Sequence, residues 1–353
     1  MQTSMLPRTL LTRTLTRSLA SPARLRLPLR CITTQPQQPS KGWLTQKIES
    51  SPTARKWFMA IAKGLGYQSP KQLAGGRAFV LYERVAAPTP DQDPLFWQKE
   101  CHLPPTFQSW FTVTNLHIWL LTVRLRALPQ EHGKYYVQAL IDHFFMDVED
   151  RIRTVLQPPL KPSHPYTFIS PFYVNPNVPQ TDSTSSDPGS EPTSKTKRRG
   201  RAPDRIVNRQ MKIFKEQWAG MGLSFDLALV KGDREMAAAV WRNLLGGRGA
   251  RGIAYADSPN GLHYRRAINL VGGEVVNVAK LDVDKEEMRD DGSGVHDFPP
   301  SEVDKYVTYP ELMLDLVRYV RRELARLEKV SDHDIMAGDW ELLKFPSIRD
   351  PNL

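Results

Sequence analysis

One stretch limits the fold of this 353-residue chain more than any other. Between residues 105 and 127, Phe107, Trp110, Phe111, Leu116, Ile118, Trp119, Leu121, Val123 and Leu125 recur closely. Wound at 3.6 residues per turn, they cover most of a helix circumference. A helix apolar nearly all round has no solvent face, so it belongs in the middle of a domain with other elements packed about it. Its densest apolar part, near residues 116–123, is far shorter than the roughly 18–20 residues that span a bilayer. The expectation is a soluble or peripheral protein built around one central helix.

The partners for that helix are amphipathic. Over 134–156, Val137, Leu140, Ile141, Phe144, Val148, Ile152 and Val155 follow the helical period. Asp147 with Arg151 and Glu149 with Arg153, each four apart, are expected as ion pairs on its solvated side. Val207, Met211, Phe214 and Trp218 mark a helix over 204–219, and Asp233 can cap another carrying Met236, Val240, Trp241, Leu244 and Leu245, closed by Gly246. Met313, Leu316, Val317, Val320, Leu324 and Leu327 predict a last long helix over about 309–329. Nearer the start, Ser51-Pro52 can open a helix bearing Trp57, Phe58 and Ile61 that stops at Gly64 and Gly66. Residues 267–271 and 275–283, joined at Gly272-Gly273, suggest a β-hairpin. The fold class is mainly α: a compact helical domain with a disordered Pro/Ser-rich insertion and a small C-terminal β-hairpin.

Composition divides the rest. The net charge is +10, but six of the 48 basic residues lie in the first forty positions, which hold no acid, leaving 42 basic against 38 acidic residues beyond them. An Arg-, Leu- and Ser-rich, acid-free start with Leu11, Leu15 and Leu19 beside Arg13 and Arg17 matches a mitochondrial transit peptide over 1–40. Residues 158–202 carry nine prolines and a closing basic run of Lys195, Lys197, Arg198, Arg199 and Arg201, a composition that buries too little apolar surface to offset chain ordering. Within it Tyr166, Phe168, Phe172 and Tyr173 cluster, and they are expected to pack back on the core rather than on a partner. The organisation expected is 1–40 transit peptide, 41–157 and 203–252 as two parts of one helical domain, 158–202 linker, and 253–353 hairpin plus helix.

Chemistry-bearing motifs are absent. Two cysteines, Cys31 and Cys101, build neither a disulfide framework nor a thiolate zinc site. Gly247, Gly249 and Gly252 satisfy G-x-G-x-x-G in spacing alone, because they follow a helix rather than a strand. Asp142, His143, Asp147, Glu149 and Asp150 crowd one helix without the second ligand-bearing segment a di-metal bundle needs. Around Asp290-Asp291-Gly292, Arg289 and Phe298 occupy positions where a calcium loop needs oxygen ligands. His117 reads as a hydrogen-bonded core histidine. No catalytic residue, cofactor or metal site is expected. Two basic stripes remain: Arg205, Arg209 and Lys212, and Arg318, Arg322 and Arg326. Each can engage RNA phosphates, anionic lipid or a partner, or serve as ordinary solvated surface partly neutralised by Asp315 and Glu323.

The order and spacing of several runs carry a resemblance. Thr106-Phe107-Gln108-Ser109-Trp110-Phe111 is followed by Leu116-His117, Trp119-Leu120-Leu121 and Arg124-Leu125-Arg126. Then come Gln138-Ala139-Leu140, Phe144-Phe145, Asp147, Arg151, Met211-Lys212 and Asn243-Leu244. Together they resemble the ubiquinol–cytochrome c chaperone family over about 43–246, with nothing matched after 253. The resemblance makes Phe107, Trp110, Leu116, His117, Trp119, Phe144, Phe145, Asp147 and Arg151 family-motif core residues. It implies a non-enzymatic assembly factor for respiratory complex III, without cofactor, on the matrix side of the mitochondrial inner membrane. Such a protein would receive newly made cytochrome b with a small helical partner near the mitochondrial ribosome, with peripheral membrane contact. The alternative is a general mitochondrial RNA- or ribosome-binding protein acting through the basic faces.

Overall fold

The computed structural model describes residues 69–157, 170–175, 202–250, 252–253 and 294–349, together with Thr53 and residues 56–57. The chain divides after Ala60, and the packed helices all belong to the unit Ile61–Leu353. The expected transit peptide, most of the helix expected from Ser51, most of the linker and the expected hairpin lie outside the described residues.

The described residues form helices and no strand: α1 (Pro70–Leu81), α2 (Phe107–Arg126), α3 (Gln130–Leu156), α4 (Asp204–Lys231), α5 (Asp233–Asn243), α6 (Tyr309–Glu328) and α7 (Asp332–Ala337). Short π or 3₁₀ turns link several of them, among them Tyr82–Ala86, Phe96–Glu100 and Pro300–Thr308. α2 is the central helix. Thr106 caps it by accepting the Ser109 amide on its hydroxyl, and burial continues round the helix from Ser109 to Leu125. α3, α4 and α6 all pack against it, α1 lies along α3, and α5 bridges α4 and α6.

Three elements differ from the sequence expectation. α1 has no counterpart there: Ser69 caps it and Pro70 opens it, but Gly75-Gly76 erase the apolar period in its middle. α4 continues to Lys231, well beyond 219, because Met221, Phe225 and Ala228 keep facing inward after Gly220 and Gly222. Asp233 is the first residue of α5, and Gly232 stands at the cap with φ of 99°, reversing the chain tightly out of α4.

Asp147 and Arg151 are a correction. They are not on a solvated face: Asp147 is fully buried and Arg151 nearly so. α1, the following Tyr82 turn and residues 170–175 cover the side of α3 that local pattern leaves polar. The Tyr82 hydroxyl donates to Asp147 Oδ2, Arg151 Nε donates to the same oxygen at 2.7 Å, and Arg151 Nη1 donates to the Tyr173 hydroxyl at 3.2 Å. The guanidinium lies 4.0 Å from the Trp110 ring centre. Burial works against the Arg151 cation, but Asp147 together with the Tyr82 and Tyr173 oxygens outweighs it and holds the group above its ordinary range.

Phe172 and Tyr173 pack on the core, as expected for that aromatic cluster, while Tyr166 and Phe168 lie outside the described residues. Gln98 donates to the Phe172 carbonyl at 2.7 Å, and Asp91 accepts from the Ser170 hydroxyl and the Phe172 amide. Two further buried arginines act as staples. Arg124 donates to the carbonyls of Leu327 and Val330 and to Asp332, tying α2 to the end of α6 and the start of α7. Arg248 sits in the glycine turns after α5 and donates to the carbonyls of His296 and His102 and to the Tyr309 hydroxyl. The glycines of the G-x-G-x-x-G run thus make a turn around a structural arginine.

Candidate docking face

The family-motif residues come together as core, not as a groove. Phe107 stacks on Trp110, Phe111 stacks on Phe144, and Phe214 of α4 meets both Phe107 and Phe111 edge-on. Phe145 leans on Phe144, and Leu116 is sealed inside. Trp119 donates its indole N–H to Asp226 at 2.9 Å, and Arg126 donates two hydrogen bonds to the same carboxylate. Those arginine bonds hold Asp226 below the usual carboxylate range.

His117 is the core histidine expected. Its Nδ1 lies 2.8 Å from the Val113 carbonyl, which can only accept, so Nδ1 carries the proton. Nε2 then accepts from the Tyr319 hydroxyl at 2.8 Å, joining α2 to α6. Burial pushes this imidazole down to about 4.

The acidic cluster on α3 does not converge. Asp142 accepts from Gln138, His143 turns to the Gly75 carbonyl, and Asp147 points inward. Among the described residues no three His, Cys, Asp or Glu side chains surround a metal position. Cys101 is buried, and burial raises its thiol well above the ordinary range.

The two basic stripes part company. Arg318 is exposed, but Arg322 and Arg326 both pair with Glu323, which is fully buried, and donate to the carbonyls of Ser347 and Leu342. They clamp the C-terminal segment to α6. Arg205, Arg209 and Lys212 on α4 are all exposed, with no ion-pair partner among the described residues.

The face bearing those three residues continues. At 100° per residue, positions 205, 209, 212, 216, 219, 223, 227 and 230 fall within roughly 40° of one line along the helix. Leu223 is 72% exposed, Val230 86%, and Leu227 is also exposed. Glu216 is half-buried and Ala219 exposed. One outer face, on the order of 40 Å long at 1.5 Å per residue, is therefore cationic at its first end and apolar at its last. A helix ending near 219 would leave the three apolar residues outside it, which is why periodicity did not single them out. The signal is present in their continuation of the i, i+4, i+7 spacing of Arg205, Arg209 and Lys212.

The described helices thus carry, along α4, an open face that is cationic at one end and apolar at the other. The family model described as ubiquinol-cytochrome C chaperone matches residues 99–158 and 195–269. The match leaves out 159–194, inside the Pro/Ser-rich interruption, and runs on to 269, past the point where the motif resemblance ended. Among curated relatives, the mitochondrial protein CBP3 of Saccharomyces cerevisiae is 27% identical over 202 residues, 57% of this chain and 43% of that protein. Ubiquinol-cytochrome-c reductase complex assembly factor 1 of Xenopus laevis is 26% identical over 155 residues, 44% of this chain and 54% of its own. The Mus musculus protein of that name is 29% identical over 102 residues, 28% of this chain and 33% of its own. The chain thus spans about half or less of the length of these relatives. No solved structure matches. Among the described residues no helix is long and apolar enough to cross a membrane.

Proposed function

We propose that this chain is a non-enzymatic chaperone that assists assembly of mitochondrial respiratory complex III. In this reading it binds newly made cytochrome b together with a small helical partner near the mitochondrial ribosome, on the matrix side of the inner membrane. The supporting observation is the open face of α4 on a core that matches the chaperone family. A client destined for a membrane offers apolar helices, and covering apolar area is worth about 25 cal/mol per Å². Leu223, Leu227 and Val230 are placed to take such area, while Arg205, Arg209 and Lys212 suit an anionic partner such as the ribosome surface or lipid head groups. The acid-free segment 1–40 would supply import, and 158–202 would link the two parts of the helical domain.

Deleting the gene should deplete complex III while the other respiratory complexes persist, and cytochrome b should co-purify with the protein from mitochondria. Unchanged complex III in the deletion would end this reading. The exposed basic end of α4 favours one alternative, a general mitochondrial RNA- or ribosome-binding role. That role requires Arg205→Glu, Arg209→Glu and Lys212→Glu together to reduce many mitochondrial translation products rather than cytochrome b alone.

A further inference from the structure

Residues 170–175 lie on the bundle as a strap that belongs to no helix or strand. The strap carries its own turn: Ser170 Oγ accepts the Phe172 amide at 3.3 Å, and Pro171 fixes the backbone between them. Asp91 Oδ1 accepts from the Ser170 hydroxyl at 2.7 Å and from the Phe172 amide at 3.1 Å. Gln98 Nε2 donates to the Phe172 carbonyl at 2.7 Å. The Val174 amide donates to the Pro105 carbonyl at 3.4 Å, and Asn175 Nδ2 to the Thr154 carbonyl at 2.9 Å. Between these anchors Phe172 is 1% exposed, and Tyr173 sets its ring edge-on to Phe107 while its hydroxyl accepts from Arg151. Pro105, Phe107, Arg151 and Thr154 lie within the residues the chaperone-family model matches, with Asp91 and Gln98 just before them, whereas the strap falls in the part left out. Residues 157–169 separate the strap from α3 and residues 176–203 separate it from α4, so it can leave without unwinding either helix.

We infer that residues 170–175 are a self-ligand. They occupy in cis a docking groove whose partner is a polypeptide turn of the same chemistry: a hydroxyl residue, proline, then two aromatic residues. The groups of the groove dictate that chemistry. The Asp91 carboxylate takes a hydroxyl and the amide two residues on, and it would repel an acid at the first position. The Gln98 carboxamide takes a carbonyl, and the Phe172 position takes a ring away from water. The Phe107 ring and the Arg151 guanidinium receive a second ring with a hydroxyl at its tip. A segment tethered in the same chain competes at an effective concentration of about millimolar, so the strap keeps weak partners out until it lets go. The inference goes beyond the chaperone reading: it neither uses the α4 face nor depends on the client being cytochrome b.

The probe is a fluorescein-labelled peptide with the sequence of residues 168–176, followed by anisotropy against the full chain. Phe172→Ala with Tyr173→Ala empties the groove and should bind the peptide at least about tenfold more tightly than the native chain does. Adding Gln98→Ala to that variant removes one hydrogen bond to the peptide and should weaken it about fivefold. A peptide carrying Ser170→Asp sets a second carboxylate against Asp91 and should not bind. In the native chain, the Phe172 amide should exchange with solvent at least about a hundredfold faster than the Leu120 amide of α2, because the strap opens while the core stays folded. Exchange at Phe172 as slow as at Leu120, an emptied variant that no longer unfolds cooperatively, or a folded one that ignores the peptide overturns the inference. So does a native dimer that Phe172→Ala abolishes, since the occupant would then be a second copy of this chain. Complex III levels in the deletion are read separately, so a groove that ignores the peptide beside depleted complex III removes this site and leaves the chaperone reading intact.

Discussion

The burial of His117 makes stability depend on pH in a calculable way. In the folded protein the ring is neutral, with Nδ1–H bound to Val113 and Nε2 accepting from Tyr319, and its pKa stands at about 4. In the unfolded chain a histidine titrates near 6.5. Above that pH the ring is neutral in both states and costs nothing. As the pH falls below 6.5 the unfolded chain binds a proton that the folded protein refuses, so stability declines on acidification. Two and a half pKa units at 1.36 kcal/mol each set a limit of about 3 kcal/mol, reached near pH 4, and about 2 kcal/mol of it is lost by pH 5. Urea unfolding at pH 7.5, 6 and 5 should show this decline. His117→Gln keeps a polar group against Val113 or Tyr319 but cannot titrate. It should start less stable by about 1–2 kcal/mol and lack this part of the slope. Comparing the two profiles above pH 5 also cancels Asp226, whose depressed pKa matters only at lower pH. Parallel profiles for the two proteins, or a native protein that gains stability on acidification, would refute this reasoning.

Three other perturbations test the packing and the basic face. Asp147→Ala strands the Arg151 cation and the Tyr82 hydroxyl in the core and should cost about 3–5 kcal/mol by urea unfolding. Asp147→Leu with Arg151→Met removes both charges and should recover most of that loss; failure to recover would mean the pair is not an isolated charge problem. Gly133→Ala improves helix propensity by about 1 kcal/mol, yet its Cβ would sit 2.8 Å from the Leu125 carbonyl oxygen. It should lower stability by about 1–3 kcal/mol and the thermal midpoint with it. Arg205→Glu, Arg209→Glu and Lys212→Glu change only exposed positions, so each should shift stability by less than about 0.5 kcal/mol while lowering recovery of ribosomes with the protein in a salt-dependent way.

Much of the helical frame is legible from the residues alone, and the reason is local. α2 could only be central, because residues from Phe107 to Leu125 leave it no face for water. α6 carries a clean apolar period and matches its expected range closely. The order of motifs along α2 and α3 carries the family resemblance, and those side chains meet one another in a single aromatic core. What periodicity cannot state is which neighbour covers a polar side. An Asp and an Arg four apart read alike on any helix, and it is α1, the Tyr82 turn and residues 170–175 that make Asp147 and Arg151 interior. Arg322 and Arg326 fall in a stripe by spacing, but the C-terminal segment brings carbonyls to them from twenty-five and sixteen residues away, respectively. Sequence determined the period of each helix, and so which residues could be core, because that depends on chain geometry within a few turns. Tertiary structure alone decided which polar groups would be buried, paired or left open, because that depends on elements distant in the chain arriving at the same place.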